Sequence, residues 1–128
     1  MSRFLPADHE KGDERTIGGY AAVHARPAAF EGRDGFSYSV ELLADRTGEA
    51  GRPWGAFLLF VQWKRFGEPG VHGHLESGFL AWGATRAVAL AALGTMDVVE
   101  VQGVLDGLIL ARDAAERDAA TDDDEPLA

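Results

Sequence analysis

The chain has 128 residues, 46% apolar and 26% charged, with no cysteine and a formal net charge of −9. That length fits one domain with an adequate core, and the lack of cysteine excludes disulfides, thiolate nucleophiles and sulfur-ligated metals while fitting a reducing, cytoplasmic setting. The opening MSRFLPADHEKGDER turns polar too soon for a secretory signal, and no apolar run approaches the ~18 residues of a membrane span.

The acidity is unevenly spread. Residues 1–16 hold four acids and three bases, 17–112 hold ten and eight, and 113–128 hold seven and one. Without a basic stripe the chain is not expected to neutralise phosphates, so nucleic acid is excluded as a partner. These shifts divide the chain into a flexible N-terminal arm (1–16), a single α+β domain (17–112), and a helix end with an acidic disordered tail (113–128).

In chain order, 19–26 reads as a first strand, with Ala21, Val23 and Ala25 alternating against Tyr20, Ala22, His24 and Arg26. Pro27 lacks an amide donor and ends that strand or confines it to an edge. EGRDG, 31–35, has the residues of a hairpin turn. Phe36, Tyr38, Val40, Leu42 and Ala44 then alternate with Ser37, Ser39, Glu41 and Asp45, giving a strand with one buried face.

After the polar loop 45–53, the run from Trp54 to Phe66 is apolar on both sides. Phe57, Leu59, Val61 and Trp63 share one face, and Trp54, Ala56, Leu58 and Phe60 the other. A strand of this kind is usually covered on both faces, yet only two helices follow. A second copy of the chain is therefore expected to cover one face, with Trp54, Phe57, Phe60 and Trp63 as the interface residues.

GEPG, 67–70, reads as a further turn and 71–82 as the fourth strand. Thr85 is the expected N-cap of a helix over 86–93, with Gly94 at its C′ position. Asp97 and Glu100 have capping-box spacing, Met96 can staple onto Val101, and Val98, Val101, Leu105 and Leu108 recur at helical steps. The predicted fold is α+β: a four-stranded antiparallel meander followed by two helices packed on one face, ββββαα.

Two constellations could carry chemistry. His72, His74 and Glu76 alternate on one strand, and two imidazoles with a carboxylate can ligate a divalent metal. Their Cα atoms would stand ~6–7 Å apart, however, so the rotamers would have to lean together. Arg26, Glu31, Arg33, Asp34, Tyr38 and Glu41 gather around the first hairpin, where cross-strand ion pairs or a small polar pocket are expected, and His24 could join them. Phosphate-loop, dinucleotide, nucleophile-elbow and zinc-protease signatures are absent from the sequence, and Ser77 lies on the wrong side of the strand for a triad with Glu76.

Residues 57–93 join an aromatic-rich strand, a hairpin, a second strand and a Gly-x-Thr entry (Gly83, Ala84, Thr85) into an Ala-rich helix. This run resembles the small antitoxins of the HicB type, although Arg86, Ala87 and Val88 replace the residues usual after the threonine and the preceding Pro-Asp loop is missing. The resemblance implies a similar strand-to-helix fold and a protein partner to neutralise. Taken together, the residues favour a noncatalytic protein-interaction or accessory domain, homodimeric or acting as an acidic partner of a basic target. The competing class is a metal-dependent enzyme or small-ligand binder built on His72, His74 and Glu76.

Overall fold

The computed structural model describes residues 7–64 and 70–124, and it has the α+β architecture, with an antiparallel sheet and helices after it. The elements in chain order are α1 (Ile17–His24), β1 (Ala29–Glu31), β2 (Ser37–Arg46), β3 (Trp54–Trp63), β4 (Val71–Glu76), β5 (Ala81–Gly83), α2 (Arg86–Leu93) and α3 (Val98–Asp124). Strands β1 to β4 lie in meander order, and β5 also pairs with β3.

The first segment departs from expectation. Residues 17–24 form a helix, capped by Thr16 Oγ1, which accepts from the Gly19 amide at 3.0 Å. With Gly and Ala on most of its faces this helix has almost no amphipathic contrast, so apparent alternation among small residues was a false strand signal. The strand that pairs with β2 is the short β1 instead, in the register Ala29↔Ser39 to Glu31↔Ser37. Between them Ala25 ends α1 in the left-handed region, φ 52°, an uncommon conformation for a residue with a Cβ. The expected EGRDG turn is present, with Gly35 at φ 83° and the Gly32 amide donating to the Phe36 carbonyl.

Residues 7–16, expected as a loose arm, are held by main-chain bonds from distant parts of the chain. Asp8 N–H donates to the Val23 carbonyl, Ile17 N–H to Met96, and Val98 N–H to Arg15. Gly94 is not the left-handed cap expected of it, since its φ is −62°. The close contact here demands a glycine at its neighbour instead: a Cβ on Gly18 would stand 2.9 Å from the Gly94 Cα.

The fourth strand is interrupted. Ser77 and Leu80 keep bonding to β3 through Leu58 and Ala56, while Gly78 and Phe79 loop out between them, so 71–83 follows β3 as two strands. The GEPG turn falls outside the described residues except for Gly70, as does Phe66. Thr85 caps α2 as expected, accepting from the Val88 amide at 3.1 Å, and the Asp97–Glu100 capping box forms at the start of α3. That helix continues to Asp124, carrying the first part of the acidic tail with it.

One face of the sheet carries the core. Tyr38, Val40, Ala44, Ala56, Leu58 and Phe60 point to it and pack against Ala89 and Leu93 of α2 and Val101, Leu105 and Ile109 of α3. Each large side chain so removed from water contributes ~1.5–3 kcal/mol.

Candidate functional site

Among the described residues no helix lies over the opposite face of the sheet. Cross-strand partners share a face, so the pairs Ser39↔Val61, Glu41↔Leu59, Leu43↔Phe57, Leu59↔Glu76 and Val61↔His74 define its surface. Its centre is apolar: Leu43, Phe57, Leu59, Val61 and Trp63, with Trp63 41% exposed. Trp63 lies across β2, its Nε1 donating to Ser39 Oγ at 3.0 Å. At the other end Phe79 folds over Gly55 and meets Phe57 edge-on, with centroids 6.1 Å apart. A Cβ on Gly55 would lie 2.5 Å from the Phe79 ring, so the glycine makes room for it. Glu41, Asp45 and Glu76 form an acidic rim around this patch, and Arg52 stacks on Trp82 at 4.1 Å on its edge.

The aromatic residues expected at one interface are thus divided by the pleat. Phe57 and Trp63 are on the open face. Phe60 is fully buried in the core, edge-on to Phe30, and Trp54 lies half-buried on the helix side beneath Arg46. Phe60 is therefore corrected to a core residue and Trp54 to the covered face, because even-numbered positions of β3 point toward α2 and α3.

His72, His74 and Glu76 do not converge. His74 and Glu76 stand 4.0 Å apart in solvent, with side chains 66% and 55% exposed. The register shifts between Gln62 and Trp63; such an irregularity lets one residue leave the alternation, and His72 stacks on Phe36, centroids 4.9 Å apart. Among the described residues no three His, Cys, Asp or Glu side chains are grouped so as to hold a metal ion. Ser77 is a structural plug: its Oγ accepts from the Leu58 amide and donates to the Gly78 carbonyl.

The hairpin cluster is partly assembled. Tyr38 O–H donates to Asp34 at 2.6 Å, and Arg112 from α3 reaches Asp34 at 3.1 Å, the Tyr38 oxygen at 3.5 Å and Gln62 at 3.5 Å. Tyr38 and Gln62 are 0% and 4% exposed. Burial pushes the Tyr38 phenol up to about 12, aided by its hydrogen bond to Asp34. Burial also pushes the Asp34 carboxyl up, but hydrogen bonds from Tyr38, the Phe36 amide and Arg112 outweigh it and hold the group below its usual range. For Arg112 burial opposes the charge, and hydrogen bonds to Asp34, Tyr38 and Asp113 overcome it. At neutral pH the result is an ionised pair with a neutral phenol, a clamp fastening α3 to the β1–β2 turn that offers no base or nucleophile there.

The other members of that cluster stand elsewhere. Arg26 lies over Tyr20, Glu31 contributes its carbonyl to Gln102, the Arg33 amide donates to Asp106, and Glu41 is on the open face. His24 bonds Glu14 at 3.0 Å, beside His9. Arg112 and Gln62 were missed, although each left a sign: both are polar residues that continue an apolar series, 101–105–109–112 on α3 and 56–58–60–62 on β3.

Among the described residues no helix is long and apolar enough to cross a membrane. No protein family, curated protein or solved structure matches this chain, so the HicB-type resemblance stands on residues 57–93 alone.

Proposed function

We propose that this chain is a noncatalytic protein-interaction domain that self-associates through the open face of its sheet. The observation supporting this is the apolar strip of Leu43, Phe57, Leu59, Val61 and Trp63, which has no second layer within the described residues. Water-facing antiparallel sheets normally turn polar residues outward, and β3 does not. A strip of this kind stacked on itself about a two-fold axis satisfies both copies with one surface.

The size sets the strength. Three strands ~4.8 Å apart and ~33 Å long offer on the order of 450 Å² per copy, close to the lower limit of specific interfaces at roughly 1,000 Å² in total. A patch of that size favours a weak, concentration-dependent dimer. Sedimentation equilibrium tests this: the wild type should pass from monomer to dimer as its concentration rises, and Leu59→Lys should remain monomeric with an unchanged circular dichroism spectrum. A wild-type chain that is monomeric at millimolar concentration refutes the proposal.

A further inference from the structure

We infer that the free edge of β2 is a second docking site, for an extended basic segment of a protein partner that adds as a strand. The inference rests on the reading of this chain as an interaction domain, but on a different surface. Strand β1 pairs only with residues 37–39 of β2, and the Val40 amide donates to the Ala28 carbonyl. Even-numbered residues of β2 therefore direct their main-chain groups away from β3, and beyond Val40 these are Leu42, Ala44 and Arg46. No described element pairs with them. Unpaired edge groups of this kind template a further strand.

Two features select the occupant. Beside the edge runs a groove of about 490 Å³ between β2 and α1, lined by Gly18, Ala21, Arg26, Pro27 and residues 40–43 of β2. Small apolar side chains on one side of an added strand would fill it. On the strand's other side the neighbours are Glu41, Leu43 and Asp45, which call for a basic, an apolar and a basic residue in turn. The segment is thus a five-residue basic–apolar–apolar–apolar–basic run, its two basic residues facing Glu41 and Asp45.

A second copy fits this edge poorly. The two-fold register that uses the whole open stretch is centred on Leu43 and sets Glu41 against Asp45 twice. Like charges directly opposite across a ladder are destabilising.

The test is an amide NMR titration of the full chain with the blocked peptide Lys-Val-Val-Val-Lys and its glutamate counterpart Glu-Val-Val-Val-Glu. The lysine peptide should shift residues 42–46 and slow hydrogen exchange at Leu42 and Ala44, and the glutamate peptide should bind at least tenfold more weakly. Ala44→Pro removes an outward N–H without touching the β2–β3 ladder, as edge positions tolerate, and should weaken binding at least tenfold with the fold retained. Glu41→Lys with Asp45→Lys should reverse the preference, and this keeps the inference testable if the proline variant fails to fold.

Equal binding of both peptides overturns it. So does protection of the Leu42 and Ala44 amides in the free protein: concentration-independent protection means the chain covers its own edge, and concentration-dependent protection means a second copy does. Peptide binding by a chain that never dimerises would sink only the sheet-face proposal, and a dimer that ignores the peptide would sink only this one.

Discussion

Raising the pH should weaken this fold through Tyr38 in a way that a single substitution can isolate. Its phenol is fully buried, donates to Asp34 at 2.6 Å, and is pushed up to about 12, against an ordinary value of about 10 in the unfolded chain. A group whose folded value is raised stabilises the fold fully below the unfolded value and loses that contribution as pH climbs through the folded one. Between pH ~10 and ~12 the unfolded state gives up the proton first, and two units at ~1.4 kcal/mol each remove on the order of 3 kcal/mol. Urea unfolding followed by tryptophan fluorescence should show this alkaline limb, and Tyr38→Phe should flatten it while costing ~1.5–3 kcal/mol at neutral pH for the lost bond to a charged acceptor. Tyr20 is the only other tyrosine, so phenolate absorbance in a Tyr20→Phe background reads Tyr38 directly. Ionisation near the ordinary value, or an alkaline limb of equal depth in Tyr38→Phe, would refute the reasoning.

Removing Arg112 should cost ~2 kcal/mol by urea unfolding, because it takes the guanidinium from the Asp34 carboxylate, 12% exposed, and from Tyr38 and Gln62; Arg112→Lys should recover little of this, since one ammonium cannot reach all three together. Ala25→Gly should gain about 0.5–1 kcal/mol by relieving the left-handed backbone at the end of α1, measured as a higher Tm. Zinc added to untagged protein should leave Tm unmoved, because His72 has turned to Phe36 and the remaining pair stands in solvent. Raising salt should tighten self-association in sedimentation runs, as it screens the acidic rim of Glu41, Asp45 and Glu76 that two facing sheets bring together.

The sheet was legible from 36 onward because its side chains differ enough in polarity to report which way they point. Phe36 to Ala44 against Ser37 to Asp45 could be read as a strand, and the double apolar pattern of β3 matches a face with no second layer among the described residues. The segment 17–24 could not be read this way, since glycine and alanine look alike from either side of a pleat. Of the candidate site residues, Asp34 and Tyr38 were recognisable because four positions across a tight turn bring side chains together. Arg112 lies 78 residues from Asp34, and only the packing of α3 brings it there. The His72–His74–Glu76 triplet failed for a local reason: one shift of register was enough to take its first member away from the others.

The contact between Gly18 and Gly94 has a kinetic consequence. Helix α1 is eight residues long, too short to persist alone in water, and its entrance is fastened to the backbone at 94–98. Those anchors exist only after α2 and α3 have docked, so α1 should be acquired late and lost early, as a unit with its own opening free energy. Exchange of the Ile17 and Gly18 amides should then outpace that of Leu58 and Phe60 under conditions where the sheet is still intact.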